Sequence, residues 1–338
     1  MAGIAEYIEL ILAGSDLTFE QAVSVLDTVF EGEIPGVQIA ALLTALRGKG
    51  ESVDELAGFA SSLREHAVRV DCGIENLVDT CGTGGAKLKT FNISTAAAFV
   101  AAGAGVYVAK HGNRAITSKC GSADVLTALG VNVDPGVEKV AQCIREANIG
   151  FMFAPKFHPA MKYVQPIRKE LGFRTVFNIL GPLANPAFAS AQVMGVPQED
   201  MMEMIAGTLK ILGIKRALVV HSDGLDEIST MGPTKVLTLK DGQIESSEIS
   251  PEDFGIARAD FAELAGADAE TNATIVKDIL SGKETGARKD IVVLNAAAAI
   301  IASGKADDFA GGIVLASESI TSGAAEAALK KLVELSNA

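Results

Sequence analysis

The stretch from Asp79 to Thr95 constrains the fold of this chain more than any other feature of the sequence. Leu77 and Val78 predict the end of a short buried strand, and the alanine-rich run 96–102 predicts a buried helix. A turn lies between them and contains Gly82, Gly84 and Gly85. Such a turn lets backbone N–H groups approach a ligand, and the positive end of the following helix favours phosphate. The pattern predicts an anion site; a tight turn before a capped core helix is the alternative.

The two common nucleotide fingerprints do not fit this stretch. A dinucleotide-binding loop requires Gly-x-Gly-x-x-Gly, and Lys87 stands where the last glycine should be. A P-loop requires a glycine followed by Lys and then Ser or Thr, and no glycine of this turn is followed by that pair. The predicted phosphate site is therefore of another kind.

The composition argues against several classes of partner. Among 338 residues the net charge is −13, aromatic residues are only 5%, and tryptophan is absent. We therefore expect neither nucleic acid nor a membrane as a partner, and an anionic substrate requires local cations or a metal ion. The four cysteines form no Cys-x-x-Cys pair and predict reduced thiols in a cytoplasmic protein: Cys72, Cys81, Cys120 and Cys143.

The chain divides into two regions with different patterns of predicted secondary structure. Residues 1–70 contain only helical patterns, including two capping-box motifs. From residue 71 to residue 338, short β-branched runs alternate with helical stretches, which predicts an α/β domain with a mostly parallel sheet. Residues 158–185 interrupt this rhythm, and we expect them to cross back to the helical domain. Residues 232–250 predict a polar excursion of small strands.

A cationic loop follows the strand predicted at 106–108. It runs from Lys110 to Arg114 and is followed by a second helix start, at 121–124, that combines glycine with hydroxyl groups. Open α/β sheets bind ligands at the carboxyl ends of their strands, so the two glycine-and-hydroxyl helix starts together could bind more than one phosphate. The alternative is that the Lys-His-Gly-Asn loop, taken without the first glycine turn, is a solvated surface loop.

Two further positions carry charges suited to a ligand. Asp226 and Glu227 follow the strand predicted at 217–220 and suit Mg²⁺, which takes one or two carboxylates plus water and phosphate oxygens. Arg168 lies on the crossing segment and suits a carboxylate, because a guanidinium can bind one with two hydrogen bonds. The alternatives are a solvated acidic turn and an exposed helical arginine beside Glu170.

Seven motifs, in order along nearly the whole chain, resemble those of the anthranilate phosphoribosyltransferase family. They are Cys-Gly-Thr-Gly-Gly (81–85), Asn-Ile-Ser-Thr (92–95), Lys-His-Gly-Asn-Arg (110–114), Gly-Ser-Ala-Asp-Val-Leu (121–126), Phe-His-Pro-Ala-Met (157–161), Phe-Asn-Ile-Leu-Gly-Pro-Leu-Ala-Asn-Pro (177–186) and Gly-Leu-Asp-Glu-Ile (224–228). Members of this family join anthranilate to phosphoribosyl pyrophosphate (PRPP) in L-tryptophan biosynthesis. The resemblance implies a small N-terminal helical domain hinged to a larger α/β domain of the nucleoside phosphorylase/phosphoribosyltransferase kind, and a homodimer.

The resemblance also implies the residues of the site. Those that would hold PRPP are Gly82, Gly85, Ala86, Thr90, Asn92, Ile93, Ser94, Thr95, Lys110, His111, Gly112, Asn113, Arg114, Ser118 and Ser122. Those that would contact anthranilate are Gly82, Asn113 and Arg168, and those that would bind two Mg²⁺ ions per monomer are Ser94, Asp226 and Glu227. An aromatic amine is neutral at pH 7, so we assign no catalytic base; nothing in the sequence shows that His111 faces the amine.

One departure from the family pattern lies in the glycine turn. The family usually has Gly-Thr-Gly-Gly-Asp followed by a flexible run, whereas this chain has Ala86 followed by Lys87, Leu88 and Lys89. A carboxylate is lost and two cations are gained beside the phosphates. Our hypothesis is that Lys87 or Lys89 replaces part of the metal charge.

Two other functions are compatible with the same architecture. A pyrimidine nucleoside phosphorylase would have a Lys-His-Ser-Thr-Gly-Gly loop, which this sequence lacks. A non-catalytic paralogue that binds a phosphoribosyl ligand would explain the lost acid at position 86, but the adjacent Asp226 and Glu227 argue against an inactive site.

Overall fold

The computed structural model of the chain describes residues 3–115 and 119–338. Four helices form the N-terminal region: α1 (Ile4–Leu12), α2 (Phe19–Phe30), α3 (Gly36–Lys49) and α4 (Val53–Glu65). Both predicted capping boxes are confirmed. The hydroxyl of Thr18 accepts a hydrogen bond from Gln21 N–H, and that of Ser52 accepts one from Glu55 N–H, each at 3.3 Å. These caps satisfy N–H groups that helices α2 and α4 would otherwise leave unpaired.

One sheet of seven strands forms the centre of the larger region. The strands are β1 (Leu77–Gly82), β2 (Tyr107–Gly112), β3 (Ile149–Phe153), β4 (Ala191–Gly195), β5 (Arg216–Ser222), β6 (Thr234–Lys240) and β7 (Gln243–Ile249). Their spatial order is β3-β2-β1-β4-β5-β6-β7, and the first five are parallel. The mostly parallel sheet is therefore confirmed.

Two details of the sheet differ from the sequence prediction. Strand β1 begins at Leu77 instead of ending near it, because pairing with β4 continues as far as Gly82. The predicted polar excursion is the antiparallel edge of the main sheet, since β6 pairs with β5 and β7 pairs with β6. Most side chains of the edge strand β7 are exposed, which is why its sequence resembles that of a separate polar hairpin.

Helices cover both faces of the sheet. They are α5 (Ile93–Gly103), α6 (Ser122–Ala128), α7 (Val137–Ala147), α8 (Ala154–Phe157), α9 (Gln165–Leu171), α10 (Phe177–Leu183), α11 (Met201–Ile211), α12 (Phe261–Leu264), α13 (Ala269–Leu280), α14 (Ala287–Ser303), α15 (Phe309–Thr321) and α16 (Ala324–Asn337), with 3₁₀ turns at Pro159–Tyr163 and Pro251–Phe254. In the described part of the chain, no helix combines the length and the apolar character that crossing a membrane requires.

Two large hydrophobic cores lie on opposite faces of the sheet. On one face, helices such as α5 and α14 pack over β1, β4 and β5. On the other face, α11 and the N-terminal helices share a core with residues of 164–184. This second core anchors the segment between β3 and β4 to the helical region, and the segment then returns to the sheet.

The strand order changes direction between β1 and β4. The chain runs outward from β1 through β2 to β3, then starts again at β4 on the other side of β1. A crevice outside the carboxyl ends of the strands is expected at such a switch point, and ligands of open α/β sheets bind there. The glycine turn that follows β1 lies at this point.

Candidate active site

The tips of the two central strands meet at paired glycines. Gly82 and Gly195 end their strands as partners in register, and the loop after β5 places Asp226 against both. A Cβ on Gly82 would collide with the Asp226 carboxylate, and a Cβ on Gly195 would collide with the Asp226 carbonyl. Glycine at both tips is therefore what lets Asp226 reach the floor of the crevice. Sequence reasoning missed Gly195, because a glycine at the end of a strand is a common feature.

The glycine turn is fastened to the loop that carries Asp226. Gly84 and Gly85 have φ values of +68° and +91°, which favour glycine. Gly84 N–H donates to Asp226 Oδ2 at 3.1 Å, and Leu88 N–H donates to the Gly224 carbonyl at 3.1 Å. The N–H groups of Gly85 and Ala86 have no acceptor among the described residues. The Ala86 side chain itself is buried, so this position can offer a ligand only its backbone.

The start of helix α5 differs from the expectation of a free phosphate site. Ile93 N–H donates to the Phe91 carbonyl and Thr95 N–H to the Asn92 carbonyl, while Ser94 N–H faces the Glu227 carboxylate. A carboxylate of the protein thus already lies at the positive end of the helix, where it is stabilised. The glycine turn, more than the helix end, has backbone donors available to an anion.

Asp226 and Glu227 form an acidic pair at the base of the crevice. Burial raises the pKa of Asp226, and burial together with the charge of Asp226 raises the pKa of Glu227 to about 8. Neither carboxylate forms an ion pair with a described residue. Lys89 and Arg174 act to lower the pKa of Asp226, and Lys110 that of Glu227, but burial outweighs them, so a bound cation would stabilise the two adjacent carboxylates.

The residues present fit Mg²⁺ as a cofactor. No cluster of three or more acidic, histidine or cysteine ligands occurs in the described ranges, so the protein supplies only part of a coordination shell. Mg²⁺ characteristically uses one or two carboxylates and completes its shell with water and substrate phosphates. Asp226 and Glu227 provide that donor set, and Ser94 lies next to Glu227.

Lys110 lies beneath the floor of the crevice. Its side chain is only 2% exposed, and its ammonium donates to the Thr80 carbonyl at 2.5 Å. Burial lowers the pKa of Lys110, whereas Asp79 and Glu227 act to raise it. The ammonium therefore contributes positive charge to the acidic pair from below.

A buried network that sequence reasoning missed supports the loop after β2. Asp79 is fully buried and accepts hydrogen bonds from Asn185 Nδ2 at 2.8 Å and from His111 N–H at 3.3 Å. Burial raises the pKa of Asp79 to about 6, although Lys110 opposes the rise. A polar residue in an otherwise apolar strand, together with the asparagine of the 177–186 motif, was the available signal.

The His111 ring is buried between a backbone carbonyl and a second histidine ring. Its Nδ1 is 3.2 Å from the Gly181 carbonyl, and its ring lies 5.0 Å from that of His158. Burial lowers the pKa of His111 to about 3 and that of His158 to about 4. Both rings are neutral at pH 7, and an imidazole with so low a pKa is a weak base.

Hydrogen bonds and an ion pair join residues 113–115, after β2, to the start of helix α6. Ser122 Oγ donates to the Asn113 carbonyl at 3.3 Å, and a Cβ on Gly112 would collide with the same Oγ. Arg114 forms an ion pair with Asp124 at 2.9 Å, and Asp124 also accepts hydrogen bonds from Gly121 N–H and from the N–H of residue 115, each at 2.9 Å. The structure thus brings the predicted residues 112–114 and 122 together. Ser118 lies outside the described residues.

The remaining predicted residues lie around the start of α5. Thr90 forms a β-bridge with residue 265. Asn92 does not cap the helix with its side chain, because its Oδ1 accepts a hydrogen bond from Asn272 at 3.0 Å. Ile93 and Thr95 are buried, and the Thr95 hydroxyl has no hydrogen-bond partner among the described residues.

Two arginines of the crossing segment differ in their surroundings. The Arg168 guanidinium lies 3.5 Å from Asn178 Oδ1 and 5.5 Å from the Phe177 ring centroid, and burial lowers its pKa. Arg174 is exposed and lies directly against Gly85, since a Cβ there would collide with its guanidinium. Arg174 was missed by sequence reasoning; a lone cation three residues before the motif at 177–186 was its only signal.

Comparison with known proteins assigns the two regions and the whole chain to the same group. Residues 5–67 match the helical bundle domain of a glycosyl transferase family, and residues 74–326 match its a/b domain. The anthranilate phosphoribosyltransferase of Rubrobacter xylanophilus is 53% identical over 334 residues, which cover 98% of this chain and 97% of that protein.

Solved structures agree with this assignment. The anthranilate phosphoribosyltransferase of Thermus thermophilus has a TM-score of 0.93 at 42% identity and covers 98% of this chain and 99% of its own. The Saccharomyces cerevisiae enzyme in complex with PRPP and Mg has a TM-score of 0.90 at 28% identity, with coverage of 99% and 98%. These matches favour the transferase over the nucleoside phosphorylase and the non-catalytic paralogue. This chain belongs to the anthranilate phosphoribosyltransferase family.

Proposed function

We propose that this chain transfers the phosphoribosyl group of PRPP to the amine of anthranilate, giving N-(5-phosphoribosyl)anthranilate and pyrophosphate in L-tryptophan biosynthesis. One observation carries the proposal: a glycine turn with unpaired N–H groups packs against an acidic pair at the switch point of a parallel sheet. Family membership and the yeast relative with PRPP and Mg bound support the same activity.

PRPP would lie over the glycine turn. The unpaired N–H groups of Gly85 and Ala86 would bind phosphate oxygens, and Asn113, Arg114 and Ser122 would face the sugar phosphate from the second loop. The other residues proposed to hold PRPP are Gly82, Thr90, Asn92, Ile93, Ser94, Thr95, Lys110, His111, Gly112 and Ser118. Ile93 would contribute through its backbone alone, because its side chain is apolar and buried, whereas Thr95 would contribute its buried hydroxyl, which has no partner among the described residues.

Mg²⁺ would be held by Asp226 and Glu227, with Ser94 beside Glu227. We propose two ions per monomer, as the resemblance to the family implies, with Ser94 and Glu227 for one and Asp226 and Glu227 for the other. When bound, Mg²⁺ supplies positive charge that stabilises the departing pyrophosphate. Lys110 would add charge from beneath the floor.

Anthranilate would approach from the side of the crossing segment. Arg168 would bind its carboxylate, and Gly82 and Asn113 would line the same space. The Asn178 contact restrains the guanidinium and so orients it before the substrate arrives. A solved relative, the Saccharomyces cerevisiae enzyme, has been obtained in complex with 4-fluoroanthranilate.

In the reaction, the C1–O bond of the ribose breaks and its electron pair leaves with pyrophosphate, while the amine nitrogen forms the new C1–N bond. The ammonium product then loses a proton to water. The nucleophile is neutral before attack, so orientation and charge stabilisation account for the rate, and no catalytic base is required. Movement of the helical region about the crossing segment would bring the amine into line.

Two further properties are proposed from the surface and the cysteines. Leu12 and Val37, on α1 and α3, are 65% and 76% exposed, and we propose that this apolar surface joins two copies in a homodimer. The four free cysteines suit a reducing, cytoplasmic location. Light scattering that gives the mass of a single chain at micromolar concentration would exclude the dimer.

A fluorescence assay tests the activity. Anthranilate fluorescence is expected to fall when PRPP and Mg²⁺ are added to the purified chain and to stay constant when either is omitted. Consumption of a pyrimidine nucleoside with free phosphate, without loss of anthranilate, would instead indicate the phosphorylase.

A further inference from the structure

Arg174 lies at the edge of the crevice, outside every set of residues assigned above. It stands between α9 and α10, on the segment anchored to the helical core. Its guanidinium lies so close to Gly85 that a Cβ on this glycine would come within 3.1 Å of Cζ and closer still to Nη1. Gly85 also has a positive φ, so the backbone conformation favours glycine here, and the missing side chain leaves room for the guanidinium.

The Arg174 guanidinium has no hydrogen-bond or ion-pair partner in the described part of the chain. Other arginines near the crevice are engaged: Arg114 with Asp124, and Arg168 with Asn178. The guanidinium acts to lower the pKa of Asp226, which burial raises. An arginine without a partner, beside unpaired N–H groups, leaves its donors available to an anion.

We propose that Arg174 is a ligand of the pyrophosphate group of PRPP. This inference rests on the proposed function. A guanidinium presents donors in a planar fork that matches two phosphate oxygens, and this one lies directly against Gly85, whose N–H has no acceptor among the described residues. The pyrophosphate gains negative charge as the C1–O bond breaks, so a cation here stabilises the transition state more than the ground state.

The position of Arg174 favours pyrophosphate, and not the anthranilate carboxylate, as the group that this arginine binds. Arg174 lies against the glycine turn and acts on Asp226, a proposed Mg²⁺ ligand, so it shares the surroundings of the leaving group. Arg168 contacts Asn178 and Phe177 instead. The segment that carries Arg174 also packs with the helical region, so the contact would couple binding of PRPP to the position of that region.

The test compares Arg174→Gln with Lys169→Gln, an exposed cation on the same segment that serves as the control. We expect Arg174→Gln to raise KM for PRPP roughly tenfold or more, and to lower kcat, with KM for anthranilate changed less than about twofold. Calorimetric binding of inorganic pyrophosphate with Mg²⁺ should weaken by about the same factor. Arg174→Lys should fall between, because it keeps the charge and loses the fork.

The inference is overturned if Arg174→Gln binds pyrophosphate as wild type does, or if only KM for anthranilate rises. A lowered melting temperature with unchanged pyrophosphate affinity would assign a structural role and also overturn it. Anthranilate consumption by the wild-type chain separates the two claims: if wild type is inactive the proposed function fails, whereas an active wild type with an unaffected variant removes only the role of Arg174.

Discussion

Carboxylates that follow two strands of the same sheet, β2 and β5, have opposite surroundings. After β2, Asp124 accepts two backbone N–H donors and an arginine, and these interactions lower its pKa. Beside the turn after β1, Asp226 has one backbone donor and Glu227 faces another, while burial raises both pKa values. The first carboxylate is satisfied by the protein, and the second pair is left for a ligand to satisfy.

This difference separates a stabilising charge from a functional one. A satisfied carboxylate contributes to folding and needs nothing from outside. An adjacent, buried pair with no ion-pair partner among the described residues opposes folding, and such an arrangement is typical of functional sites. Asp124 and Asp226 look alike as acidic residues in loops, so only their partners distinguish them.

The largest expected effect comes from removing a charge of the acidic pair. Glu227→Gln and Asp226→Asn should each lower kcat/KM at least about a hundredfold, because the Mg²⁺ donor set is lost. Neither variant should lower the melting temperature in Mg²⁺-free buffer, because burial disfavours the charged carboxylate at both positions and an amide carries no charge. Steady-state kinetics and thermal melts check this, and a variant with near wild-type kcat/KM would contradict the comparison.

The buried histidines differ from both kinds of carboxylate, because burial keeps their rings uncharged at pH 7. The unfolded pKa of His158 is near 6.5 and its folded pKa is about 4, so its stabilising contribution is present above pH 6.5 and is lost as pH falls. The unfolding free energy of wild type minus that of His158→Gln should shrink by roughly 2 kcal/mol between pH 7 and pH 5. Urea titrations at both pH values measure it; a constant difference would mean that His158 is not held neutral.

Substitution of Asp124 should reduce stability more than turnover, which is the opposite of what we expect for Asp226 and Glu227. Asp124→Ala removes the acceptor for two backbone N–H groups and an arginine, so the free energy of unfolding should fall by about 1–2 kcal/mol. Turnover at saturating PRPP should change less than about tenfold. Unfolding by denaturant with parallel kinetics tests this, and intact stability with abolished turnover would reverse the assigned roles.

The smallest expected effect concerns the departure at position 86. Lys89 Nζ donates to the Ala86 carbonyl at 2.7 Å, and its charge lowers the pKa of Asp226. Ala86→Asp adds a negative charge and Lys89→Ala removes a positive one near the metal ligands, so each should lower the Mg²⁺ concentration needed for half-maximal activity by about twofold to threefold. Mg²⁺ titrations of activity and of pyrophosphate binding compare them with wild type, and coincident curves would rule out compensation by lysine.

Elements that depend on residues close together in the sequence were predictable. The capping boxes, the glycine turn and the parallel strands depend on neighbouring residues, so their patterns are local. The packing of Asp226 against Gly195 was not predictable, because it joins loops of two strands that only the sheet order makes neighbours. The burial of Lys110 and the position of Arg174 depend on the tertiary fold in the same way.

A crystal structure of the chain with PRPP and MgCl₂ tests the central claim most directly. We predict density for pyrophosphate between the Gly85 turn and Asp226 with Glu227, and density for Mg²⁺ in contact with those carboxylates. Density for PRPP at any other place, with the acidic pair still without a cation, would contradict the account.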